Sequence, residues 1–272
     1  VLLTVAPQAA AASAAGIQFA PHRAVYEMQL DERDAARNIA AVRGRMVFDI
    51  KGSHCAGYTL SNRMVTRITD AEGGEVVSDI RSETWEDGAG AHFRFDSSQY
   101  LDNRLTESLK GEAERQADGK AIAVKLNPPQ ASEMNIPGDA RFPTQFSLEI
   151  LEAARNGKRI VQAKVYDGSE NGEQVFATTT FIGKAIAPGS EAEQAPDPIG
   201  ETLSGLRSWP VSISYFDVDS ASDTTPSYQL SFRLFENGVS RQLRIDYGTF
   251  ALTGKLSSLE LHEPVPCPRP PG

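Results

Sequence analysis

The chain has 272 residues, 40% of them hydrophobic and 23% charged, enough apolar material for a sizeable core and too much for wholesale disorder. Its formal net charge of −9 comes without any cluster of Lys and Arg, which argues against a nucleic-acid binder, since neutralising phosphates requires one. Length alone allows one large β domain or two small ones.

At the start, Val1-Leu2-Leu3-Thr4-Val5 runs into Ala9 to Ala12, Ser13, Ala14 and Ala15, the pattern of an apolar signal-peptide stretch ending in small residues. Residues 1–15 are expected to be a signal-peptide remnant, and the rest an exported, soluble, periplasmic protein. No later stretch approaches the ~18–20 continuous apolar residues that span a bilayer, so no transmembrane segment is expected. Period-two alternation then dominates. Tyr26, Met28 and Leu30 share one face. So do Val42, Met46, Phe48 and Ile50, then Tyr58, Leu60, Met64 and Ile68, with Arg43, Arg45, Asp49, Arg63 and Arg67 opposite.

Further strands are predicted over Glu75 to Trp85, Ala91 to Tyr100, Lys120 to Leu126, Arg159 to Asp167 and Gln174 to Ile186. Between them, Thr144 to Asn156 has helical spacing, with Thr144 as N-cap and Gly157 as the stop. Residues 187–201, rich in Ala, Pro, Gly and Glu, read as an exposed loop within a single domain spanning 16–272. The last predicted strands are Val211 to Val218, Tyr228 to Phe235, Val239 to Tyr247 and Phe250 to Leu261. Gly73-Gly74, Asp118-Gly119 and Asn237-Gly238 supply hairpin turns. The expected class is all-β with one or two helices, its antiparallel strands forming a barrel or sandwich.

Two cysteines, Cys55 and Cys267, stand alone and far apart, without the close spacing of a metal or redox motif. In an oxidising compartment one disulfide is the expected fate; the alternative is a pair of unrelated buried thiols. His22, His54, His92 and His262 read as surface or turn residues, and neither a metal nor another cofactor is expected. No G-x-S-x-G elbow is present. Glu83-Thr84-Trp85-Glu86-Asp87 offers paired carboxylates beside an aromatic platform, but before Gly88-Ala89-Gly90 it reads better as a strand end and turn. Arg94, Arg104 and Arg115, interleaved with acids, read as a solvated face. No catalytic residue is assigned.

Four long blocks resemble one family, the alphaproteobacterial cell-envelope integrity protein B (EipB-like) family, a former domain of unknown function. They are APHRAVYEMQL (Ala20 to Leu30), RGRMVFDIKGSHCAGYTL (Arg43 to Leu60), TWEDGAGAHFRFDSSQYLDNRL (Thr84 to Leu105) and FPTQFSLEILEAARNGKRIVQAKVYDGSENG (Phe142 to Gly172). The resemblance implies an open, spiral-like β-barrel and a disulfide from Cys55 to Cys267. It also implies a role in envelope integrity under stress and a periplasmic tetratricopeptide-repeat partner. The leading expectation is a non-enzymatic protein that acts by binding another protein, through a sheet edge or the 187–201 loop. A lipid or lipoprotein carrier is the second reading, with Tyr58, Leu60, Met64, Phe93 and Phe95 as lining or core. An uncharacterised hydrolase is the third.

Overall fold

The computed structural model describes residues 18–34, 38–190, 199–218 and 225–267. The predicted signal-peptide remnant lies outside them. Among the described residues, fourteen antiparallel strands form one sheet. They are β1 (His22–Leu30), β2 (Ile39–Ser53), β3 (Gly57–Asp70), β4 (Glu75–Glu86), β5 (His92–Leu101), β6 (Arg104–Arg115), β7 (Ala121–Leu126) and β8 (Ser132–Pro137). After helix α1 (Pro143–Arg155) come β9 (Ile160–Val165), β10 (Phe176–Ile182), the short helix α2 (Gly200–Leu203), β11 (Ser208–Asp217), β12 (Tyr228–Phe235), β13 (Ser240–Asp246) and β14 (Ala251–Leu261).

The spatial order β8-β7-β6-β5-β4-β3-β2-β1-β14-β13-β12-β11-β10-β9 explains the architecture. The chain enters at the middle of the sheet, walks outward to β8, crosses through α1 to the opposite edge at β9, and walks back to β14 beside β1. The two edges are thus neighbours in sequence. They approach in space as well, because Arg141, just after β8, forms a parallel bridge with Val165 of β9. The sheet remains unclosed and winds around α1, whose Phe146, Ile150 and Leu151 are buried against Ile50, Tyr58, Val211 and Ile213.

Strands such as β1, β7 and β10 bury alternate residues, as a half-buried pleat does. In β1 these are His22, Ala24, Tyr26 and Met28. Two strands, β6 and β8, carry no readable alternation. In β6 the buried side of the pleat is Leu109, Gly111 and Ala113, so two of its three inward positions hardly register as hydrophobic. In β8 Ile136 alone is buried.

Three expectations need correction. Helix α1 is capped two residues earlier than expected: Pro143 is its first residue and Phe142, not Thr144, is the N-cap, without a side-chain cap of its own. Pro suits that position because its missing N–H would have had no partner in the first turn. His22 is buried on the inner face of β1 and is not a surface residue. Of the 187–201 loop, residues 191–198 lie outside the described set, while Ile199 is buried and leads into α2, whose Leu203 is also buried.

Candidate functional site

A cavity of about 330 Å³ lies between the inner faces of β1–β3 and β11–β13, with α1 across one end. Its walls are largely apolar, with Met46, Phe48, Ile50 and Leu60 facing Ile213, Leu230, Phe232, Leu243 and Ile245, and Phe146 and Ile150 supplied by the helix. Polar groups are sparse. The His22 Nδ1 stands 2.7 Å from the Ala20 carbonyl oxygen, which fixes Nδ1 as the protonated nitrogen. Burial lowers the imidazole pKa, so the ring is neutral and Nε2 is left as an acceptor. The Asn62 Oδ1 on the same wall is buried without a hydrogen-bond partner. The size is at the lower end for small-molecule sites.

The helix end of the cavity is fixed by residues that looked like turn decoration. Glu86, the last residue of β4, turns inward, and its carboxylate accepts the N–H groups of Thr144 and Gln145, both at 2.8 Å. A side chain 58 residues away in sequence thereby caps α1, satisfying two of its free first-turn donors. Burial pushes the Glu86 carboxyl from its ordinary 4.5 up to about 7, against the pull of those two N–H groups. Glu86 is therefore no solvated turn residue. Arg115 is no solvated residue either: it donates to the carbonyl oxygens of Gly90 (3.1 Å), Ala140 (3.0 Å) and Gly138, and its guanidinium lies over the Phe142 ring. Together they pin the 87–91 turn and the 138–142 segment beneath the start of the helix.

Outside the barrel, Trp85 carries the Arg94 guanidinium over its ring at 4.4 Å. Glu83 and Trp85 point to the outer face while Glu86 points inward, so this stretch does not set two carboxylates around one substrate position. Of the five residues considered as a cup lining, only Leu60 borders the cavity. Tyr58 joins the cluster around α1, Met64 packs on the cluster of β1 and β14, and Phe93 and Phe95 belong to a separate aromatic cluster.

Two further features lie at the surface. Cys55, in the β2–β3 turn, is joined to Cys267 by a disulfide with Cα atoms 5.5 Å apart, and His54 sits against both sulfurs. At the sheet edge, β9 pairs with β10 on one side. On its other side, among the described residues, Arg141 is its only strand-like partner, at Val165, leaving residues 160–162 open toward a groove walled by Leu148, Glu149, Glu152 and Ala153 of α1. Ile160 and Phe181 stand directly opposite each other there, 55% and 54% exposed. Sequence reasoning missed this pair because alternation marks which residues share a face, not which face is covered. Among the described residues no helix is long and apolar enough to cross a membrane.

Comparison with known proteins gives one consistent picture. The family model described as EipB-like matches residues 13–263. The cell envelope integrity protein EipB of Brucella abortus (strain 2308) is 36% identical over 255 residues, which is 93% of this chain and 88% of that protein. A crystal structure of a β-barrel-like protein of a domain of unknown function, also from Brucella abortus, superposes with a TM-score of 0.82 at 33% identity. That match covers 91% of this chain and 100% of the other.

Proposed function

This chain belongs to the EipB-like family, and from that premise we propose that it maintains the integrity of the cell envelope from the periplasm, by binding another protein and not by catalysis. The observation that carries the binding mode is the edge of β9, where Ile160 and Phe181 form an exposed apolar pair beside unpaired strand backbone. Natural sheet edges are ordinarily blunted by charge, proline or a covering element, and an edge left apolar suits an added strand from a partner. The first partner class to test is a tetratricopeptide-repeat protein of the same compartment.

The test replaces both residues, Ile160→Glu and Phe181→Glu, in a strain lacking the gene. The strain should be sensitive to detergents and to antibiotics that attack the cell wall. The parent protein should restore resistance and the double variant should not, while its unfolding free energy stays within about 1 kcal/mol. Glu83→Ala, Asp87→Ala and His92→Ala should rescue normally. Full rescue by the double variant would remove the edge from the mechanism, and failure of a folded Glu83, Asp87 or His92 variant would favour a hydrolase.

A second reading has its own support in the cavity: a carrier for an acyl chain or lipoprotein lipid, whose apolar tail would lie among Phe48, Leu60, Leu230 and Phe232. Its polar end would need a hydrogen-bond donor for Asn62 Oδ1 or His22 Nε2. Co-purification of a lipid, read by mass spectrometry of an organic extract, separates the two readings.

A further inference from the structure

The corner formed by His54, Cys55 and Cys267 carries more than a crosslink. The His54 Nε2 lies 3.2 Å from the Cys55 Sγ and 3.6 Å from the Cys267 Sγ. All three residues are exposed, and their ligand atoms fall within 4.8 Å of one another. In a tetrahedral zinc site, with Zn–S of ~2.3 Å and Zn–N of ~2.0–2.1 Å, a nitrogen and a sulfur ligand stand roughly 3.5 Å apart and two sulfurs roughly 3.8 Å apart. Both nitrogen–sulfur edges are therefore already near the length such a site requires. Only the sulfur–sulfur edge is wrong, because a covalent bond holds it shut.

We propose that reduction of the Cys55–Cys267 bond converts this corner into a site for a thiophilic divalent cation, held by two thiolates and the His54 imidazole, with water completing the set. In the reductive step an external dithiol supplies two electrons and two protons. The Cys55–Cys267 bond breaks, each sulfur becomes a thiol, and the dithiol closes to its own disulfide. Cation binding then displaces the two thiol protons, because the ligand form of cysteine is the thiolate. Two thiolates with one imidazole favour Zn2+ over the oxygen-seeking Ca2+ and Mg2+.

The placement gives the site a consequence. Cys55 belongs to the turn between β2 and β3, and Cys267 lies on the tail that leaves β14. That tail is otherwise held by His262, whose N–H donates to the Pro21 carbonyl and whose Nε2 lies 3.0 Å from Asp49. A bound cation would keep the tail on the same turn under reducing conditions, so that the tether survives the loss of its covalent bond.

The experiment uses the full chain, oxidised or reduced by a phosphine under anaerobic conditions, with Zn2+ alone as the probe in competition with a chromophoric chelator. The reduced chain should take up one equivalent and the oxidised chain none. His54→Ala in the reduced state should weaken binding roughly tenfold or more, as loss of a ligand demands. Co2+ supplies a second readout, since bound to the reduced parent it should show thiolate charge-transfer bands and the intense visible bands of a tetrahedral site. Equal Zn2+ uptake by oxidised and reduced chains would overturn the proposal. So would a reduced His54→Ala chain that binds as tightly as the parent with the same Co2+ spectrum, the behaviour of two thiols in an unfolded chain that ignore the imidazole.

Discussion

At one end of the sheet Phe93, Phe95, Phe142 and Tyr166 meet ring against ring, with centroids 5.0 Å apart for Phe93 and Phe142 and 5.5 Å for Phe93 and Phe95. Across its middle, Phe48 and Phe232 line a hollow instead. Both regions come from the same inner face and the same alternation. In the aromatic corner even a methyl group has no room: a Cβ on Gly111 would lie 2.6 Å from the Phe95 ring, and one on Gly168 equally close to it. The corner is filled by chain that returns after α1, since Tyr166 and the 168–172 turn close over β5 and β6 and the Tyr166 hydroxyl donates to the Gly172 carbonyl. The middle has α1 across one end only, and beyond the reach of the helix the space between the two walls stays unfilled.

The largest effect should come from emptying the filled corner. Phe93→Ala should cost about 3–5 kcal/mol of unfolding free energy, since the side chain is buried among three rings and its neighbours cannot collapse into the space. Leu60→Ala, which only widens an existing hollow, should cost clearly less. Urea titration of both variants checks this, and equal losses would erase the distinction between the two regions. Next, Cys55→Ser or reduction without added metal should cost about 2–4 kcal/mol, because the bond closes a loop of 212 residues in the unfolded chain. Faster cleavage by a protease at the tail checks that loss.

The cap between the two regions gives a smaller, pH-dependent effect. The Glu86 carboxyl is raised in the folded state from 4.5 to about 7, so the folded chain holds a proton that the unfolded chain releases between those values. Its contribution is fully present below about pH 4.5 and is lost as pH rises through about 7. Glu86→Gln removes this titration. The stability difference between parent and variant should therefore shift by about 1–3 kcal/mol between pH 4.5 and 7.5, in favour of the variant as pH rises. Denaturant midpoints across that range test it, and parallel curves would mean that the carboxyl does not titrate there.

The open antiparallel sheet and the helix were legible because half-buried strands print their period on the sequence: Tyr26, Met28 and Leu30, or Leu230, Phe232 and Leu234, need no structure to be assigned a face. β6 was not legible, because Gly111 and Ala113 are small where the Phe95 ring leaves no space, so the packing that defines the strand hides its pattern. Cys55 and Cys267 stood out by number alone. Glu86 could not be recognised as a cap, since its partners Thr144 and Gln145 come close only once β4 and α1 are both in place. The hollow was invisible for the same reason. Leu60 and Phe93 are both apolar residues in alternating strands, and what separates them is whether a distant segment arrives opposite.

The smallest effect on stability should carry the sharpest information about the hollow. Leu60→Phe adds bulk to the cavity wall, while Gly111→Ala adds a single methyl in the aromatic corner. In a close-packed interior added volume forces neighbours off their rotamers and costs about 1–3 kcal/mol, and this is the expectation for Gly111→Ala, whose new Cβ would meet Phe95, Leu126 and the Lys125 carbonyl within 3 Å. At position 60 the added atoms have a cavity of about 330 Å³ to enter, so the cost should stay below about 1 kcal/mol although the side chain grows more. The same substitution should displace whatever the hollow can hold. A fluorescent fatty-acid probe that lights up with the parent protein should do so less with Leu60→Phe and unchanged with Ile160→Glu, which lies on the outer edge. If Leu60→Phe is neutral for stability and the probe binds as before, the hollow is not the probe's site. If Leu60→Phe costs as much as Gly111→Ala, the walls close in solution and the two regions are packed alike.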